Sequence, residues 1–210
     1  MAEMSMNKVI HAAVRRDLER FITALARFPA GDRARARQLE TAWVNFDQQL
    51  TTHHEGEHTI AWPALEAVGV SKELLATLDA EHESMAAALT DARTTIGALT
   101  RTAEAEQTTA ALAACRALKA VTVAHLDHEE AEIEDVYLAN REAPELKAMG
   151  KAFGKVSPAR GGRFFAWLLD GASPEERKAV TREVPGPVVF VIGGIFGRAY
   201  RKTVAPVWKS

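Results

Sequence analysis

Seven histidines stand in the chain: His11, His53, His54, His58, His82, His125 and His128. What they can do depends on the helix face each one occupies. His11 precedes Leu18 by two turns, so the pair shares a face. Phe46, Leu50, His53 and Glu57 follow one another at steps of four, three and four. Leu75, Leu78, His82 and Met85 step by three, four and three in a later segment, and Leu118, Val121, His125 and Glu129 by three, four and four in a fourth. Each segment therefore aims one histidine at the core, and two of them add a glutamate one turn on. An ionised carboxylate in a core is costly unless it is paired or metal-bound. Four imidazoles and two carboxylates on core stripes read as a metal site. Without thiolates they exclude a zinc-thiolate or iron–sulfur centre, and they are too many for a tetrahedral zinc. The mixture suits two iron ions bridged by Glu57 and Glu129; manganese or a mixed pair has a chemical claim on the same donors.

Positioning these side chains takes four long helices. The first two-thirds of the chain is poor in glycine and proline, and breakers separate its apolar stripes. The first helix runs from near Asn7 to the Phe28-Pro29-Ala30-Gly31-Asp32 break and carries Val14, Leu18, Ile22 and Leu25. Asp32 caps the second, which carries Leu39, Trp43, Phe46 and Leu50, bends near Pro63 and ends about Glu66 or Ala67. Ser71 opens the third after the Val68-Gly69-Val70 turn; it carries Leu75, Leu78, Met85 and Leu89 to near Thr100. The fourth spans about Glu104 to Asn140, with Leu118, Val121, Ile133 and Val136 inward. Counted from the connecting turns, the four histidines differ in depth by roughly 4–6 Å, about one helical turn, so they can reach a common centre. The expected fold is all-α: an up-down-up-down four-helix bundle over residues 1–142.

Residues 143–210 change character, punctuated by Gly154, Gly161-Gly162, Gly171, Pro185-Gly186-Pro187 and Gly193-Gly194. Short helices are expected over 162–169 and 174–183, the latter capped by Ser173 with Glu176 three residues on. A third is expected over 188–203, the whole forming a C-terminal extension packed on the bundle. A formal net charge of −2 gives no global argument for a nucleic-acid or anionic-membrane partner. The Arg33, Arg35, Arg37 run reads as a solvated helix face. The single cysteine, Cys115, reads as structural and leaves no internal disulfide framework. Together with an N-terminus lacking a signal-type apolar core, this makes the cytoplasm the expected location. The run from Val188 to Phe196 is far short of the roughly 20 residues that span a bilayer.

The histidine pattern resembles the hemerythrin-like (HHE cation-binding) family, bacterial type. It comprises an early histidine, His-x-x-x-Glu followed by an aromatic-Pro, a lone histidine, then His-x-x-x-Glu. Here these are His11, then His53 to Glu57 with Trp62-Pro63, then Glu81-His82-Glu83, then His125 to Glu129. The resemblance covers about residues 7–140. It implies His11 and His53 on one iron, His82 and His125 on the other, and Glu57 and Glu129 bridging, with an oxo or hydroxo group completing the bridge. Oxygen carriers place a second histidine four residues after the one in their third helix, where this chain has Ala86. His54 is the candidate replacement, with His58 the other neighbour. The family's usual fourth-helix spacing selects Glu130, whereas the stripe selects Glu129. His58, His128, Glu55 and Glu130 read as exposed groups or as acceptors that orient a ligand imidazole.

The resemblance implies a centre that binds or reacts with a small oxidant ligand, O2, H2O2 or NO, in sensing, storage or peroxide detoxification. A catalase-like disproportionation of peroxide is the enzymatic form of that expectation. The missing histidine argues against reversible oxygen carriage. The alternative is an iron- or oxygen-responsive regulatory module without turnover, acting on a protein partner through the apolar stretch 185–200.

Overall fold

The computed structural model describes residues 4–209. Among them every regular element is helical. In chain order these are α1 (Met6–Ala26), α2 (Arg33–Gly56), a π-helical turn (Glu57–Ala61), α3 (Trp62–Ala67), α4 (Lys72–Thr102) and α5 (Ala105–Asn140). The extension contributes α6 (Pro144–Phe153), α7 (Pro158–Leu168), α8 (Pro174–Glu183), α9 (Gly186–Phe196), α10 (Arg198–Thr203) and a closing 3-10 turn (Ala205–Lys209). The caps follow the sequence. Ser5, Asp32 and Ser71 each accept a backbone N–H at the start of α1, α2 and α4. Ser173 and Glu176 form a full capping box on α8.

The long helices form a ring in which α1 packs on α2, α2 on α4, α4 on α5 and α5 on α1. By length and composition α5 is apolar enough to cross a membrane; it lies against α1 and α4 and carries the buried carboxylates Glu129 and Glu134. The apolar interior is divided in two. The larger core joins Val9 to Leu25, Ala36 to Leu50, Met85 to Leu99 and Ala111 to Leu126 with side chains of the extension. The smaller joins Trp62, Leu65, Leu75, Leu78, Ile133 and Leu146. Residues 53–57, His82 and 125–129 fall between the two along their helices, so the candidate donors form a polar layer separating two apolar ones.

Several expectations need correction. The second helix does not merely bend at Pro63. Proline has no N–H, and its ring crowds the carbonyl four residues back; the chain widens into a π turn just upstream and restarts as α3 with proline in its first turn. On α5 Val121 is 37% exposed, while Thr122 and Cys115 are fully buried. The stripe there runs through 111, 115, 118, 122, 125 and 129, so Cys115 is a core residue. On α1 Phe21, fully buried, displaces half-buried Ile22 from the stripe. The extension holds five helices rather than three. Pro144 opens one that the glycine-based reading missed, and Gly197 breaks the expected 188–203 helix in two.

The extension is fixed to the outer face of α1. Trp167 Nε1 donates to buried Asp17 (2.8 Å), and Arg16 reaches the Trp167 carbonyl (2.9 Å). Asp170 accepts from Arg20 (3.2 Å) and Tyr200 (2.9 Å), and Trp208 meets Phe21 edge-on at 5.0 Å.

Candidate metal centre

All seven candidate donors of the sequence come together. One group is His11, His53, Glu57 and Glu129; the other is His54, Glu57, His82 and His125. Within each, one donor atom per residue lies within 4.8 Å of all the others. Glu57 belongs to both. Glu129 Oε2 is 3.3 Å from His11 Nε2 and 3.8 Å from His125 Nε2, so its carboxylate also faces both. Glu57 Oε1 is 3.0 Å from His53 Nε2, and Oε2 is 3.4 Å from His82 Nε2.

These short approaches are not hydrogen bonds. Among the described residues, six buried atoms here lack a hydrogen-bond partner: Nε2 of His11, His53 and His54, both oxygens of Glu57, and Oε2 of Glu129. Buried polar atoms are nearly always partnered. Lone pairs that converge without pairing fit a cation, which would satisfy them together. His82 Nε2 and His125 Nε2 face one another at 3.0 Å. Imidazole and carboxylate are also the donor types that iron and manganese accept.

The outward atoms of the same side chains are held. His11 Nδ1 lies 3.0 Å from Glu130 Oε1, which Arg15 also contacts at 2.6 Å. His125 Nδ1 lies 2.8 Å from Glu81 Oε2, and Asn7 donates to Glu129 Oε1 at 2.8 Å. An ionised carboxylate only accepts, so Glu130 and Glu81 assign the proton to Nδ1 and leave Nε2 free to face inward. Glu130 therefore orients a ring from outside, and Glu129 is the glutamate that enters the layer. Asn7, Glu81 and Asp79 were missed as supports. Asn7 lies one turn before His11, and Glu81 adjoins His82; both spacings were legible. Asp79 accepts from Trp62 Nε1 (2.7 Å) and pairs with exposed His58 (2.8 Å). His128 bonds Glu81 at 2.8 Å, away from the inward atoms, and Glu55 is exposed.

Electrostatics follow from this burial. Burial, then neighbouring imidazoles, hold His53 and His54 far below the ordinary histidine value. Burial and His125 bring His82 down to about 4. These rings are neutral at physiological pH, with lone pairs available. Burial also lowers His11, but Glu129 and Glu130 outweigh it and raise the ring overall. Burial and the Glu129 carboxylate push Glu57 well above the carboxylate range. Burial works upward on Glu130 too, but hydrogen bonds from His11 and Arg15 take it down to about 2.

Access is local. A cavity of about 280 Å³ opens beside His54 and His82, walled by Leu50 on α2 and by Met85, Ala86 and Leu89 on α4. His54 stacks on His82 with ring centres 4.2 Å apart, and Trp62 lies parallel to His82 at 6.0 Å.

Compared with known proteins, the chain matches the family model of the hemerythrin HHE cation-binding domain over residues 7–137. Neither the curated proteins nor the solved structures gave a match.

Proposed function

The chain belongs to the hemerythrin HHE cation-binding family, and on that premise we propose that its domain holds a pair of non-haem iron ions that bind or react with a small oxidant ligand. The observation that carries this reading is the set of six buried, unpartnered donor atoms converging from three helices and the π turn. His11, His53, Glu57 and Glu129 would hold one ion, and His54, His82, His125 and Glu57 the other. Glu57 is common to both groups, and Glu129 faces both His11 and His125. The helices run up-down-up-down; the short connections between α1 and α2, α3 and α4, and α4 and α5 support that topology.

Bound iron would supply redox chemistry and a coordination position for O2, H2O2 or NO. The chain supplies the rest. Glu130 and Glu81 keep His11 and His125 in one tautomer, Asn7 keeps Glu129 oriented, and apolar layers on both sides exclude bulk water. The cavity beside His54 and His82 is large enough for a small ligand such as O2, H2O2 or NO. Ala86, where oxygen carriers have a histidine, widens that cavity. This supports reaction with peroxide or sensing over reversible carriage.

Metal analysis of freshly purified protein, with absorption spectra before and after H2O2, O2 and NO, tests the reading. Two iron ions per chain and a spectral response to at least one ligand are expected. Metal-free protein that takes up no iron, or loaded protein inert to all three, would sink it.

A second reading, a module reporting its metal state through the extension, has one specific observation in its favour. Helix α6 packs on the π turn that carries Glu57, and the Phe153 ring sits where a Cβ on Gly56 would lie, 2.6 Å away. Hydrogen exchange over 144–153 with and without metal decides it; equal protection in both states removes this reading.

A further inference from the structure

The formal charge of −2 conceals a strong division. Residues 143–210 hold twelve Lys and Arg against five Asp and Glu, a formal +7, while residues 1–142 carry −9. The basic part also holds the most exposed apolar surface. On α9 Phe190 is 80% exposed, Ile195 59%, Val191 48% and Val188 45%. Val188, Val191 and Ile195 recur at three- and four-residue spacing and line one face, Phe190 projects from its flank, and Val189, Gly193 and Gly197 turn the opposite face inward. That inner face is occupied. Gly162 on α7 and Gly197 approach so closely that a Cβ on either would collide with the opposite helix, and Gly193 meets Phe165. Arg201 donates to the Gly193 carbonyl (2.7 Å) and to that of Gly194, holding the end of α9. A rigidly mounted helix thus presents its apolar side to solvent.

Exposed basic groups border that side. Arg198 and Lys202 follow at its end, in α10, which starts where Gly197 ends α9. On the flank, Val156 and Ile192 both lie against Gly161, bringing Lys155 and Arg160 to the patch edge. From Gly186 to Phe196 no side chain can donate or accept a hydrogen bond. A folded protein partner of fixed shape would leave such a face without polar specificity at its centre. A second copy in a two-fold pair would set the same basic rim against itself. An anionic lipid surface matches both features, taking the apolar face into the acyl boundary and the rim against phosphate. Eleven residues rise about 16 Å, roughly half the hydrocarbon thickness. The neighbouring α8 is turned from α9 by 107°, so the two do not form one straight span.

We propose that the α9 face, with Lys155, Arg160, Arg198 and Lys202 around it, binds the surface of an anionic phospholipid bilayer. The test is co-sedimentation of the full-length protein with phosphatidylglycerol–phosphatidylcholine vesicles and with phosphatidylcholine vesicles alone. Binding to the anionic vesicles is expected, at least about tenfold weaker on neutral ones, and lost between about 0.1 M and about 1 M salt as the screening length shortens. Phe190→Asp should weaken binding by about tenfold or more. Its side chain is already in water, so helical content should be unchanged. Arg198→Glu with Lys202→Glu should weaken binding at least as much, and Val44→Asp, on an exposed apolar site of α2, should leave it intact. Equal sedimentation of wild type and Phe190→Asp would overturn the proposal. So would absence of vesicle binding by a protein whose concentration-dependent dimer, or complex with another protein, is abolished by Phe190→Asp.

Discussion

Replacing Glu57 by glutamine should reverse sign with metal. In the metal-free protein Glu57 is 3% exposed, neither carboxyl oxygen has a hydrogen-bond partner, and the Glu129 carboxylate is close by. Its proton is therefore held to higher pH in the fold than in the unfolded chain. Over that window the fold binds more protons, so stability falls as pH rises. Ionising a buried carboxyl without partners costs on the order of 1–3 kcal/mol or more. Glutamine keeps the shape and never ionises. At pH 8 metal-free Glu57→Gln should melt higher than wild type by roughly 2–12 °C, at about 2–4 °C per kcal/mol for a chain of this size. Near pH 5, where wild-type Glu57 is largely protonated, the gap should close. On the acid side His53, His54 and His82 act oppositely. Their folded values lie below 6.5, so the unfolded chain binds more protons there and stability drops as pH falls under about 6.5. Metal inverts the order. Wild type at a hundredfold excess over its dissociation constant gains about 2.7 kcal/mol, while the variant lacks the carboxylate common to both donor groups and gains less. Thermal melts from pH 5 to 8, with chelator or with manganese(II), read both signs. A metal-free variant less stable than wild type at pH 8, or equal metal-induced shifts in the two proteins, would refute the reasoning.

Other expectations follow from the same geometry. Glu130→Gln should lower metal affinity about 10–100-fold by releasing the His11 ring; unchanged affinity in a metal titration would deny Glu130 an orienting role. Burial pushes the Cys115 thiol up to about 12, so iodoacetamide at pH 8 should label it only when denaturant is added, as mass spectrometry would read. Gly162→Ala places a Cβ against Phe196 and the Ile192 carbonyl and should cost about 1–3 kcal/mol. Melting should register that loss while metal stoichiometry stays at the wild-type value.

The convergence of the candidate donors was legible because three- and four-residue spacing maps directly onto a helix face; placing His53, Glu57, His82, His125 and Glu129 inward needed nothing more. Asn7 and Glu81 stood at legible positions, but the partners of the supports did not show, because Glu81 and Asp79 act across helices, on His125 from α4 and on Trp62 from beyond the turn, and spacing within one helix carries no information about the next. The extension was misjudged for a related reason. Its glycines read as breakers, yet Gly162, Gly193 and Gly197 are contact points that let α7 and α9 touch, and Pro144 starts a helix, as proline at a first helical position can. The most consequential difference lies at Ala86. Sequence comparison shows only a lost imidazole. In the fold His54 stacks on His82 from the α2 side, and the space on the α4 side becomes part of the cavity wall. Donor number is thereby kept while one approach to the centre is opened between α2 and α4. The proposed ligand-reactive role rests on that exchange more than on the donor count.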